Sequence, residues 1–305
     1  MTRLSYCIFA ILLTASTITT HADARTSNAY TWQPKIAIAS KDAIASEDHY
    51  ANSVSASLNI QLKRYETKYF LLYTNIAPDA ALKWEKQLDP IYAQLTELLS
   101  LPKNYNIWRG KAAIYLFKNK DQFVHFEKKY YKNDITYEAA LCHQHYTGEV
   151  RLALYNTKDQ LFLHQLFVHE MMHGIIHRYH TSKRIPTWLN EGISEWASHK
   201  IVGDAPMFKL KKDLSKKFLH NTGYLPNDFF GDYAFKPEFY GTAYTLTQTL
   251  NDISKNKFIQ FIKLIKEHHT WQNALKTAYK MTPGELIQTY AKHIGLKKLP
   301  LEKSN

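Results

Sequence analysis

Two histidines four residues apart on a helix share one face, and Val168-His169-Glu170-Met171-Met172-His173-Gly174 sets His169 and His173 at that spacing. Two imidazoles so placed can grip one metal ion, and Glu170, one residue along, can reach a metal-bound water without binding the metal. The pair alone also fits two surface histidines on an ordinary helix, so the following chain has to decide. Beyond Pro186 comes Thr187-Trp188-Leu189-Asn190-Glu191-Gly192-Ile193-Ser194-Glu195-Trp196, with Glu191 eighteen positions after His173. A helix, a turn at Pro186 and a returning helix bring Glu191 against the two histidines. His169, His173 and Glu191 then form a three-ligand set that leaves a fourth position for water, as a catalytic zinc requires. Two alternatives stay open: Glu195, on the same face of the returning helix, as the third ligand, and His177, one turn further along, as an added imidazole.

The second segment gives the chain a likeness. Asn190-Glu191-Gly192-Ile193-Ser194-Glu195 is similar to the Asn-Glu-x-x-Ser-Asp pattern of thermolysin-like enzymes, and with the histidine pair it makes the chain resemble the gluzincin metallopeptidases. Trp188-Leu189-Asn190-Glu191-Gly192 looks more like a group of small bacterial gluzincin-like peptidases, and the resemblance covers roughly residues 68–202. It implies a zincin-like catalytic domain, one zinc ion per chain, and hydrolysis of peptide or protein substrates by a metal-activated water with Glu170 as general base. It also implies supporting roles for Glu195 and Asn190, with Glu195 accepting a hydrogen bond from His169 and so fixing that imidazole. Glu195 stands where the thermolysin-like pattern has aspartate, and the step from His173 to Glu191 is slightly tighter than in the thermolysin-like or aminopeptidase branches, so neither branch is assigned. The metzincin pattern fails, because Ile176 and Tyr179 occupy its glycine and histidine positions. Gluzincins commonly steady the tetrahedral oxyanion with a tyrosine or histidine from the helical half, which makes Tyr240 and Tyr244 candidates. In a chain with 21 tyrosines, each is more readily a core aromatic.

The elements that must position these residues are legible in outline. Residues 68–74 and 111–117 are apolar and aromatic enough for strands, and 138–146 with 149–155 form a hairpin about Thr147-Gly148. The 149–155 run is expected to present an edge on which an extended substrate can pair. Pro78-Asp79 opens a helix to about residue 99, a short helix starts at Asp121, and Asp159 starts the histidine helix, which reaches about residue 179. The returning helix spans about 187–202, and beyond Pro206 the pattern is almost all helix, at 240–253, 257–268, 271–279 and 283–294. A mixed sheet-and-helix half followed by a helical half predicts an α+β fold: a catalytic domain at 66–203, a helical domain at 204–305, and a loosely packed leader or strap at 25–65.

Composition sets the outer limits. The 305 residues are 45% hydrophobic and include only 10 glycines, enough for a substantial core and too few for a barrel of many tight turns. Arg3, the apolar run at 7–13 and Ala22-Asp23-Ala24 read as a signal peptide at 1–24, so the protein is expected to be periplasmic or secreted, without a permanent transmembrane helix. An uncleaved anchor is the alternative reading of that run. Cleavage leaves Cys142 as the sole cysteine, which excludes an internal disulfide and a cysteine-rich zinc cage. The formal charge of +12 is carried mostly by lysine and favours anionic cell-envelope components as partners, or simply a solvated surface. No nucleic-acid motif accompanies the charge, so nucleic acid is not an expected partner. The rivals to a peptidase are a catalytically silent zinc-containing scaffold, against which the intact Glu170 argues, and a cell-envelope binding protein, which metal content would separate.

Overall fold

The computed structural model describes residues 30–32, 40–135, 138–231 and 235–302, so the expected signal peptide at 1–24 lies outside the described residues. Five strands form one mixed sheet in the order β1-β2-β3-β5-β4. β1 (Lys63–Glu66) runs antiparallel to β2 (Phe70–Thr74), which is parallel to β3 (Ala112–Phe117) through the crossover helix α2 (Pro78–Leu98). β3 is parallel to β5 (Val150–Tyr155), and β4 (Ala140–Gln144) closes the row as β5's antiparallel hairpin partner.

The hairpin reverses one expectation. β5 lies between β3 and β4, so the free edge on that side is β4 and not the 149–155 run. Val150, Leu152, Ala153 and Leu154 are all buried, as a strand covered on both faces requires, whereas β4 ends in the polar pair His143 and Gln144.

Alternation along the strands divides the core in two. Leu71, Tyr73, Ala113, Tyr115 and Ala153 face α1 (Ser40–Leu58) and α3 (Lys120–Phe126). Leu72, Ile114, Leu152 and Leu154 face a larger core that runs through α2, α4 (Gln160–Arg178) and α5 (Thr187–Val202) into the helical half without a break. α1 replaces the loosely packed strap expected within 25–65. Its apolar set is sparse in sequence, but Ile44, Ala51, Val54 and Leu58 fall on one face and pack under the sheet. Glu47 fastens it, taking the Arg151 guanidinium at 2.8 Å and the Tyr115 hydroxyl at 2.7 Å.

The helical half consists of α6 (Pro206–Thr222), α7 (Tyr240–Ile253), α8 (Lys255–Lys266), α9 (Trp271–Tyr279) and α10 (Pro283–His293). Among the described residues no helix is long and apolar enough to cross a membrane. Two glycines let the central helices touch backbone to backbone. A Cβ on Gly192 of α5 would strike Ala243 O and Thr247 Oγ1 of α7, and one on Gly241 of α7 would strike Lys211 O and Ser215 Oγ of α6.

Gly192→Ala is therefore expected to lower the unfolding free energy by ~1–3 kcal/mol, the range for overpacking a closed site. Gly284→Ala, which meets open space on α10, should stay within ~0.5 kcal/mol of the wild type. Urea denaturation followed by circular dichroism separates the two. Equal midpoints would contradict the close α5–α7 contact.

Candidate metal centre

α4 begins where Asp159 accepts the Phe162 amide at 3.0 Å and ends at Arg178. It is apolar nearly all round in its middle, where Val168, Met171, Met172 and Ile175 are fully buried, because it lies between the sheet and α5. His169, Glu170 and His173 are buried with them, and polar groups in that setting need partners. The chain turns through His180, at φ 60°, and Pro186 directly precedes α5, which runs back along α4. α5 supplies Glu191, Ser194 and Glu195, all buried.

Three of these side chains converge. His169 Nε2 lies 3.0 Å from His173 Nε2, and Glu191 Oε2 and Oε1 lie 3.4 Å and 3.6 Å from the two imidazole nitrogens. Tetrahedral bonds of ~2.0 Å place neighbouring ligand atoms ~3.3 Å apart, so the triangle has the size a zinc-like ion needs. The two outer nitrogens are already engaged. His169 Nδ1 meets Glu195 Oε1 at 3.2 Å, and His173 Nδ1 meets Ser194 Oγ at 3.0 Å. Each outer contact fixes a ring and leaves its Nε2 facing the shared point. Gln144 of β4 adds a bond to the His173 carbonyl at 3.3 Å, tying the sheet edge to the same turn of α4.

Unsatisfied polar atoms mark the same point. Glu191 Oε1 and Oε2 and Glu170 Oε1 are buried without a hydrogen-bond partner, and the Glu191 contacts above are too long to count as good hydrogen bonds. These oxygens fit a bound cation and a water molecule, and His169, His173 and Glu191 are the group that can hold a metal ion among the described residues. Burial pushes the pKa of Glu170 up, against the pull of His169 and His173, which suits a carboxylate that must take a proton. Burial opposes a charge on His169, but contacts with Glu191 and Glu195 win and raise its pKa to about 10. Burial likewise opposes ionisation of Glu195, yet Lys211 and His169 bring its pKa down to about 2. Glu191 is depressed in the same way, burial being outweighed by His173 and His169.

His169, Glu170 and Glu195 line a recess connected to solvent. Ala139, Ala140, Phe162, Gln165, Leu166, Ser198, Met207 and Lys211 complete its wall. Neither expected oxyanion donor lines it. Tyr240 lies under the Lys211 ammonium, 5.3 Å from ring centre to Nζ, and edge-on to Phe235 at 5.1 Å. Tyr244 packs against His199 at 5.2 Å and Phe208 at 6.2 Å. Asn190 sits half-buried in the first turn of α5, its amide bonded to Pro186 O at 2.9 Å. His177 faces away from the convergence point, against Trp32 and His145 O, and burial lowers its pKa to about 3. Cys142 is partly buried on β4, and burial raises its thiol well above the usual range, as befits a packing residue. The sequence reading assigned no role to Ser194, although it stands inside the Asn190–Glu195 segment at helical spacing from Glu191, or to Lys211, which no local pattern marks.

Comparison with known proteins gives no matching family model and no matching curated protein. Among solved structures, a Deinococcus radiodurans M1 zinc metallopeptidase variant bound to a Tyr-Ser-Ala substrate is similar over 78% of this chain and 53% of that one, at 14% identity and a TM-score of 0.42. The same enzyme without that substitution is similar over 79% and 53%, at 12% identity and a TM-score of 0.40. The chain thus spans about half the length of these structures. The side-chain geometry of His169, His173 and Glu191, not this distant likeness, carries the functional conclusion.

The contacts with Glu191 and Glu195 favour a proton on His169 in the metal-free site, and a metal bond at Nε2 requires that proton to leave. Zinc titration near pH 8, run calorimetrically in buffers of differing ionisation enthalpy, is expected to show release of about one proton per ion bound. Affinity should rise with pH towards 10. Heat that does not vary with the buffer would contradict the raised His169 pKa.

Proposed function

We propose that the protein is a zinc-dependent peptidase, with His169, His173 and Glu191 as the metal ligands and Glu170 as general base. The observation that carries this reading is one buried point at which three donors meet at tetrahedral spacing beside an unpartnered carboxylate, open to solvent through a recess. A zinc ion held there supplies a Lewis acid and an acidified water. Glu170 accepts the proton of the attacking water and passes it to the leaving amine. Glu195 and Ser194 hold the two imidazoles by their outer nitrogens, so the ligand set is organised before substrate arrives.

The recess also fits a peptide. Ala139 and Ala140 lead into β4, whose outer edge has no neighbouring strand among the described residues, and an extended chain can pair there while its side chains meet Phe162, Leu166 and Met207. We assign the catalytic unit to residues 66–203 and the closing helical wall to 204–305. The positive start at Arg3, the short apolar run and Ala22-Asp23-Ala24 support export to the periplasm or beyond, where the lysine-rich surface meets anionic envelope components.

Glu170→Gln keeps shape and removes the base. The variant is expected to hold zinc at wild-type stoichiometry while hydrolysis of a mixed peptide library falls by at least ~100-fold. Zinc retained with no peptide cleaved by the wild type would instead favour the silent scaffold. Glu191→Ala should lose most zinc at micromolar metal, whereas Glu195→Ala should weaken binding by ~10–100-fold and recover with excess zinc. The reverse order would make Glu195 the third ligand.

A further inference from the structure

Lys211 stands outside both segments that supply the metal-facing side chains. It belongs to α6, in the helical half, 16 residues beyond Glu195. Its ammonium bonds Glu195 Oε1, the same oxygen that accepts from His169 Nδ1 at 3.2 Å. A continuous line therefore runs from α6 through a carboxylate that is 2% exposed to an imidazole whose other nitrogen faces the metal point.

Two further contacts keep Lys211 in place. Its ammonium lies 5.3 Å over the Tyr240 ring, a cation–π contact that restricts the stem. Its backbone rests on Gly241 of α7, where any larger residue would meet Lys211 O, so α6 is seated at a fixed height against α7. Among the residues that line the recess, Lys211 alone carries an ammonium or guanidinium. Glu170, Glu191 and Glu195 place three carboxylates in one buried volume, and a divalent ion with one ammonium brings that volume to neutrality.

We infer that Lys211 is a positioning residue of the metal site: it fixes Glu195 against His169 and so couples the helical half of the chain to the metal. This inference rests on the zinc reading of His169. Without Lys211, Glu195 keeps only His169 as a described partner, and a buried carboxylate held at one side has no unique orientation. Loss of a support beyond a zinc ligand weakens the metal by ~10–100-fold, and Lys211, one contact further out, falls at the lower end.

The test is zinc release from the loaded full-length protein into a chromophoric chelator, together with the visible spectrum of the cobalt(II)-substituted protein. Lys211→Met is expected to speed zinc release ~10-fold and to shift the cobalt bands. Lys211→Arg, which keeps a charged donor, should return both signals close to wild type. Because Lys211 acts through Glu195, Lys211→Met added to Glu195→Gln should release zinc no faster than Glu195→Gln alone. This last comparison serves even where Lys211→Met by itself folds poorly, since Lys211→Gln can take its place. A wild-type release rate and spectrum in Lys211→Met, or effects of the two substitutions that add, would overturn the inference and leave the zinc site standing. A wild type that takes up no zinc would remove the underlying reading at the first step.

Discussion

Two imidazoles and three carboxylates share one buried volume between α4 and α5, and the surrounding structure answers to the cost of keeping them out of water. An isolated carboxylate in an apolar interior loses more hydration energy than any single contact returns, so each needs a cation or a proton. Glu195 has Lys211 and His169, and Ser194 steadies the second imidazole. Glu191 and Glu170 keep unpartnered oxygens, and a metal ion with its water, as proposed above, would complete them. The same demand bears on protonation: Glu191 and Glu195 raise the pKa of His169, so a metal at its Nε2 would have to displace a proton.

Holding that volume in shape requires a rigid α4, and its last turn is tied down from three directions. Lys266, fully enclosed on α8, donates to Ile176 O at 3.0 Å, Trp32 Nε1 donates to His177 O at 2.8 Å, and Thr31 Oγ1 donates to Arg178 O at 2.8 Å. These carbonyls lie in the last turn, where few internal partners remain, and are met by side chains from both ends of the chain. The neighbouring helix is held as closely. Gly192 brings α5 into backbone contact with α7, and Gly241 does the same for α7 and α6, so the helical half sets the position of the helix that carries Glu191.

The α+β order of elements was readable because its signals are local. Pro78, Asp159 and Pro186 mark helix starts, and β2, β3 and the β4–β5 hairpin each carry a dense apolar run. α1 escaped because its buried face is built from widely spaced Ile44, Ala51, Val54 and Leu58, with serine and alanine between, and it gains its hold from Glu47 and Arg151, residues far apart in the chain. The edge of the sheet escaped for a related reason. Both arms of a hairpin look alike locally, and only the pairing of β5 with β3 makes β4 the outer strand.

For the candidate site, the sequence determined the donors: His169 and His173 one helical turn apart, Glu170 between them, and Glu191 and Glu195 one turn apart on the next helix. Helix periodicity makes that much unavoidable, since i and i+4 share a face in any α-helix. Which of the two acids faces the convergence point was decided by how α5 packs on α4, which no local pattern encodes. The tertiary structure also packs Tyr240 against Phe235 and Tyr244 against His199, and brings Lys211 to Glu195. Periodicity fixes which side chains share a face of one helix; the docking of one helix on another fixes which of those faces meet.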